Sequence, residues 1–247
     1  MTDESIYPVN PAATDLQQIN IAAAKRHDSW DCERKILLGK HVLVIGTTGS
    51  GKTYFVAMFA LKWFPVFIFV NTSLEEVVTR VTEITCHEPD DVFEALEDGY
   101  RRIEYAPPMD KEAAIEDLEE IRRRLFEIGL KLGLPEGEFW CTVIIDEAQD
   151  FIKKGRQSPG EDFFRRGRHA RVRVVGITLK PQDISTTVLT QTQNQVIFLC
   201  GNFQEQYFQN HKIPYETWKP WLTQDFHYVI LNQKGETSFC TPIKRKP

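Results

Sequence analysis

The chain has 247 residues, 42% of them hydrophobic and 26% charged, with a formal net charge of −5. That length suffices for one large α/β domain without requiring a second, and the composition is neither disordered nor fibrous. The acidic balance excludes a global attraction to nucleic acid, no apolar run approaches the roughly 18 residues of a membrane-spanning helix, and an N-terminus with Asp3 and Glu4 and no apolar stretch does not read as a signal peptide.

Residues 1–35 carry Pro8, Pro11 and mixed charge, and read as an N-terminal arm with one short helix over 15–25. Residues 36–247 read as the main domain, opening on the apolar strand 41–45. Gly46-Thr47-Thr48-Gly49-Ser50-Gly51-Lys52-Thr53 follows, and 54–61 continue as a helix. Strand, glycine-rich loop and helix form the context in which GxxxxGK[ST] becomes a phosphate site. The glycines let consecutive backbone N–H groups turn inward, and the helix N-terminus adds a fixed partial positive charge. Gly46, Thr47, Thr48, Gly49, Ser50 and Gly51 are expected to cradle the phosphates, Lys52 to reach the β- and γ-phosphates, and Thr53 to place its hydroxyl on Mg²⁺. A ligand-free glycine-rich turn is the plain alternative, and both flanks argue against it.

Residues 65–71 read as a buried parallel strand, and Ser73 with Glu76 as a capping box starting a helix to 81. A helix over 90–100 and a strand over 102–105 follow, broken by Pro107 and Pro108. Residues 110–132 read as a long helix whose apolar face is Ile115, Leu118, Ile121, Leu125, Ile128 and Leu132. Glu119–Arg123 and Glu120–Arg124 are i,i+4 pairs on its wet side, so Arg122-Arg123-Arg124 reads as a solvated face rather than a DNA contact.

The strand 142–146 ends in Asp146-Glu147. Strands of a doubly wound sheet present functional residues at their carboxyl edge, beside the phosphate loop. Asp146 is expected to hold Mg²⁺ (the Walker B aspartate) and Glu147 to polarise the attacking water as general base, the arrangement of the additional-strand (ASCE) P-loop ATPases. An acidic pair at a strand end can also be a plain turn. No Asn-Lys-x-Asp segment reads a guanine base, and an Asp-Glu pair built to activate water disfavours a small-molecule kinase, so the expected reaction is ATP hydrolysis.

Beyond it come a helix over 161–169, strand 172–178, helix 183–190, strand 196–200 and a β-hairpin over 226–242 turning at Asn232-Gln-Lys-Gly-Glu236. Alternating strands and helices predict a mostly parallel central sheet with helices on both faces and a C-terminal hairpin. The five cysteines (Cys32, Cys86, Cys141, Cys200, Cys240) form no CxxC pair, arguing for a reducing compartment and against structural zinc. Trp218 and Trp221 read as packing residues rather than base-stacking ones.

Gly167-Arg168-His169, then Thr178-Leu-Lys180-Pro181, then 188–198 stand in the order found in the HerA/FtsK superfamily of DNA-pumping ATPases, which the chain resembles over about 40–232. Within it the chain looks most like the genome-packaging ATPases of icosahedral viruses with an internal membrane. The resemblance implies a RecA-like (ASCE) P-loop fold, ATP and Mg²⁺ as ligands, and a ring of identical subunits. It further implies sequence-independent double-stranded DNA as partner, a capsid vertex protein as a possible second one, no membrane insertion, and a place in the host cytoplasm or the virion.

It also implies an arginine acting in trans on a neighbour's γ-phosphate. Arg165, Arg166 and Arg168 stand where it is sought, with Arg168 the match to Gly-Arg-His; a basic helix end is the plain alternative. Arg171 or Arg173 could instead face DNA in the pore, and Lys153, Lys154 and Arg156 form a basic loop suited to gripping its backbone. The family commonly has Gln before the Arg/Lys-Pro turn as γ-phosphate sensor, where this chain has Leu179, leaving Thr178 or Gln182 to supply the polar contact. An ATPase acting on protein, a helicase- or conjugation-type translocase, and a nucleotide switch with negligible hydrolysis are the competing readings.

Overall fold

A computed structural model describes residues 34, 37, 38, 40–152 and 158–242. The arm expected over 1–35, apart from Arg34, and the basic loop of Lys153, Lys154 and Arg156 lie outside the described residues, as does Cys32.

Among the described residues, nine strands form one sheet: β1 (Val42–Ile45), β2 (Phe67–Val70), β3 (Ile84–Cys86), β4 (Arg102–Tyr105), β5 (Cys141–Ile145), β6 (Val172–Thr178), β7 (Asn194–Ile197), β8 (Tyr228–Asn232) and β9 (Thr237–Cys240). Their spatial order is β3-β4-β2-β5-β6-β1-β7-β8-β9. β1 to β7 pair in parallel, and β8 and β9 are added antiparallel. β5 and β6 run side by side with Ile145 opposite Gly176, and β1 lies against β6 with Ile45 opposite Thr178. The ends of β1, β5 and β6 therefore emerge at one carboxyl edge.

Strand alternation sends neighbouring side chains to opposite faces. Val42 and Val44 face a cluster filled by Phe55, Val56, Phe59 and Ala60 of α1 (Lys52–Trp63), spaced one helical turn apart. Val78 of α2 (Glu76–Thr79) joins them. Val143, Ile145, Val172 and Val174 face the other way, onto α3 (Pro89–Glu97), α4 (Lys111–Leu132), α5 (Pro159–Arg166) and α6 (Thr186–Gln191). Leu43, Ile45, Val229 and Phe239 on that side are covered by α7 (Asn202–Asn210) and α8 (Tyr215–Leu222). Each fully buried Phe contributes roughly 1.5–3 kcal/mol at most, so the aromatic contacts among Phe55, Phe59, Phe198 and Tyr228 anchor α1 and the hairpin to one core.

The fold is the expected α/β sheet with helices on both faces, with four local differences. Ser73 does not cap a helix: α2 starts later, with Glu75 as N-cap and no side-chain cap. In α4, Leu118, Ile121 and Leu125 are buried as expected, but Leu132 is half-exposed beside the terminating Gly133. Its wet-side pairs sit at i,i+3, Arg122–Glu119 and Arg123–Glu120, with Arg123 also reaching Glu127, because side chains lean back over the preceding turn. Arg124 leaves the helix to pair with Asp90 and lie over Phe93, so all three arginines are engaged. Finally, β3, α7 and α8 are additional to the predicted elements. β3 is three residues long, α7 is mostly polar, and α8 carries Pro220 inside it. Trp218 and Trp221 of α8 are buried against the hairpin, Trp221 edge-on to Phe239, which makes them packing residues.

Candidate functional site

The phosphate loop connects β1 to α1. Gly46 is pinned where Phe198 crosses: a Cβ there would lie 2.7 Å from both the Phe198 Cβ and the Ser50 Oγ. Thr47 N–H donates to the Leu199 carbonyl at 2.8 Å, so the loop leans on the end of β7. Gly51, at φ 94, holds a left-handed conformation that turns the chain into α1, and the Phe226 ring lies 2.9 Å from where its Cβ would be. Lys52 is the first residue of α1 and is buried; its Nζ donates to the Thr47 carbonyl at 2.8 Å. Burial lowers its pKa, an effect that Asp146 chiefly opposes.

Asp146 stands at the end of β5, 4% exposed. Burial, then the neighbouring Glu147 charge, pushes its carboxyl up to about 6, against a backbone hydrogen bond from Glu147, a side-chain hydrogen bond from Ser73 and the attraction of Lys52. Glu147 follows in the left-handed region, φ 51, and opens the 3₁₀ turn Ala148–Asp150. A non-glycine residue held there is uncommon and marks functional corners. Thr178 ends β6, 1% exposed, its hydroxyl donating to Gln149 Oε1 at 2.7 Å and accepting from Lys180 N–H at 3.0 Å.

These side chains open onto one cavity of about 450 Å³. Gly49, Gly51, Lys52, Thr53, Asp146, Glu147 and Thr178 give it a polar end. Phe226, Tyr228 and Pro242 add an apolar wall from the C-terminal hairpin. Ser73 and Glu75, which follow β2 at the same edge, also line it.

The residues fit Mg²⁺ and a phosphate chain. Thr53 and Asp146 line the same cavity and offer a hydroxyl and a carboxylate, a hard oxygen set, and burial beside Glu147 pushes the Asp146 carboxyl up to about 6, a cost that a bound cation would offset. The Ser50 hydroxyl is buried in the loop without a hydrogen-bond partner. Among the described residues, no cluster of three or more His, Cys, Asp and Glu could hold a metal ion alone, so phosphate oxygens and water would supply the remaining ligands.

Of the residues named by sequence reasoning, Thr48, Gly49, Gly51, Lys52, Thr53, Asp146, Glu147 and Thr178 line this cavity, while Gly46, Thr47 and Ser50 of the loop do not. Leu179 also lines it, whereas Gln182 does not. The arginines are elsewhere. Gly167, at the end of α5, packs beside His41 and Val172, at the starts of β1 and β6. That is one strand length from the phosphate loop, about 13 Å, so Arg165, Arg166 and Arg168 do not reach the cavity of their own chain. Arg165 is bound to Asp162 at 2.6 Å, while Arg166 and Arg168 are exposed. Arg173 is buried, its guanidinium between Phe64 (4.7 Å) and Phe139 (4.9 Å), with burial lowering its pKa to about 10. A DNA-facing role for Arg173 is thereby corrected: it stacks in the core. Arg171 is half-buried, donating to the Arg168 carbonyl at 3.3 Å.

Ser73, Glu75, Gln149, Phe226, Tyr228 and Pro242 were not foreseen. The rule that ligands gather at carboxyl ends of strands pointed to Ser73 and Glu75. Phe226 carries no local signal, since it depends on how the hairpin docks.

No protein-family model matches the sequence, and no curated protein matches it. Solved structures do. The genome packaging NTPase B204 of Sulfolobus turreted icosahedral virus 2, in complex with AMPPCP, superposes with a TM-score of 0.67 at 16% identity over 83% of this chain and 98% of that one. B204 of Sulfolobus turreted icosahedral virus, the DNA-packaging ATPase, gives 0.64 at 16% over 84% and 99%. Thermomonospora curvata EccC (ATPases 2 and 3), in complex with a signal sequence peptide, gives 0.50 at 12% over 84% of this chain and 37% of that one. The likeness establishes a RecA-like P-loop NTPase fold shared with viral packaging NTPases.

Proposed function

We propose that this chain is an ATPase that drives double-stranded DNA into a viral capsid. The observation carrying the hydrolytic part is the cavity in which Lys52, Thr53, Asp146, Glu147 and Thr178 converge. A triphosphate would lie on the loop amides, its γ end facing Glu147, with the nucleoside against Phe226. Thr53 and Asp146 would hold Mg²⁺, which neutralises charge on the phosphate oxygens when bound. Lys52 contributes a second, fixed positive charge beside them. Glu147 takes a proton from the attacking water, and the γ-phosphoryl group passes to that water, giving ADP and phosphate.

Arg168, exposed at the opposite edge, serves a neighbouring subunit in this reading, which requires a ring. DNA is gripped without regard to sequence through phosphate contacts, for which Lys153, Lys154 and Arg156 are the candidates. A capsid vertex protein would dock the ring, in the host cytoplasm or on the virion. No helix among the described residues is long and apolar enough to cross a membrane. The support for packaging is the order of motifs after Asp146 together with the fold shared with B204 over nearly all of that chain.

A second reading, an ATPase that moves protein, is favoured by the net charge of −5 and by the EccC likeness. Steady-state ATP hydrolysis with and without long double-stranded DNA separates the two, with Glu147→Gln as the blank. Turnover raised several-fold by DNA, lost at high salt and absent in the blank, is the expected result. Hydrolysis indifferent to DNA at every protein concentration would leave the ATPase and remove the packaging.

A further inference from the structure

Gln149 lies behind the cavity rather than in its lining. The parallel pairing of β5 and β6 puts Glu147 and Thr178 next to each other at the carboxyl edge. The 3₁₀ turn after Glu147 then swings Gln149 back between them. Its Nε2 donates to Glu147 Oε2, and its Oε1 accepts from the Thr178 hydroxyl at 2.7 Å. That hydroxyl in turn accepts from Lys180 N–H at 3.0 Å, so its single proton is committed to Gln149. The amide has one orientation that works, because the reverse would turn its oxygen toward a carboxylate and its NH₂ away from it.

The turn is fastened on either side of Gln149. Ala148 is fully buried in the core, and Asp150 pairs with Lys111 at the start of α4. Leu179, next along from Thr178, offers the cavity no polar group from its side chain. An amide therefore serves this corner from β5 and its turn rather than from β6.

We propose that Gln149 is a positioning residue: with Thr178 behind it, it holds one oxygen of the Glu147 carboxylate so that the other faces the cavity to take the proton of the attacking water. The proposal rests on Glu147 being the general base. A general base works only within hydrogen-bond reach and correct aim of its proton, and a displacement of about 1 Å can cost on the order of a hundred-fold in rate.

The experiment compares Gln149→Ala, Gln149→Glu, Thr178→Val, the Gln149→Ala/Thr178→Val double variant and Glu147→Gln. Binding of a fluorescent ATP analogue is measured beside kcat and KM. Gln149→Ala should lower kcat roughly ten- to a hundred-fold and leave analogue affinity and KM within about two-fold, since Gln149 does not line the cavity. Gln149→Glu, similar in shape but unable to donate to a carboxylate when ionised, should do no better. Thr178→Val should lower kcat less, and the double variant should fall no further than Gln149→Ala, as members of one relay do.

Wild-type or raised kcat in Gln149→Ala overturns the proposal, as does a change confined to KM, or full additivity in the double variant. If Gln149→Ala fails to bind the analogue, Thr178→Val decides: unchanged kcat there is equally fatal. Should Glu147→Gln hydrolyse ATP normally, the assignment of the base fails and Gln149 with it. A dead Glu147→Gln beside an active Gln149→Ala removes Gln149 alone.

Discussion

At the carboxyl edge of the sheet, the chain gathers the phosphate loop, Asp146, Glu147 and Thr178 around one cavity; at the opposite edge, it presents arginines that do not reach that cavity. The ends of β1, β5 and β6 are drawn together by parallel pairing, so Lys52, Asp146, Glu147 and Thr178 meet around one cavity. Arg166, the last residue of α5, and Arg168, just beyond it, stand exposed beside the starts of the same strands. A parallel α/β sheet returns each helix to the edge where the next strand begins, so a residue at a helix end is carried away from the ligand edge. The difference teaches that an arginine placed there has a catalytic use only if a neighbour supplies the other half.

The largest effect should come from breaking that division. Arg168→Ala should leave nucleotide binding in place and lower hydrolysis by about a thousand-fold, the scale of an arginine acting in trans. Mixing it with Glu147→Gln should restore part of the turnover, because one variant keeps the base and the other the arginine. Unchanged turnover in Arg168→Ala alone would return that residue to being a basic helix end.

At the carboxyl edge the comparison can be sharpened through stability. Asp146 is raised from 3.8 to about 6 in the folded protein. The folded state then holds a proton that the unfolded chain has lost, so the ligand-free protein should lose stability as pH rises from about 4 to 6 and then level off. Asp146→Asn should remove that loss and stabilise the ligand-free protein at pH 8 by up to about 3 kcal/mol. The same variant should weaken binding of the nucleotide with Mg²⁺. Thermal denaturation with and without Mg²⁺ and an ATP analogue reads both, and equal melting of the two proteins at pH 8 would contradict the assignment.

The smallest effect concerns the apolar wall. Phe226→Ala should raise KM for ATP by about five-fold or more, as losing one aromatic–base contact of ~1 kcal/mol does. Binding of inorganic tripolyphosphate, which has no base, should stay unchanged. If both ligands weaken alike, Phe226 supports the phosphate loop through Gly51 rather than the nucleoside.

The amino-acid sequence by itself determined the phosphate loop, the Asp146-Glu147 pair and most strands, because each is a local pattern: glycine spacing, an apolar run, a carboxylate at its end. It also determined that Arg165, Arg166 and Arg168 are clustered, though not which way they face. Only the tertiary structure decided that Arg173 is stacked between Phe64 and Phe139 while Arg166 and Arg168 are exposed. It alone placed Phe226 over Gly51, since the two are far apart in sequence and meet only when β8 docks on β7. It alone put Gln149 between Glu147 and Thr178, because that contact needs β5 and β6 in register. Motifs report what a segment can do; which long-range neighbour each side chain meets is settled by strand order and packing.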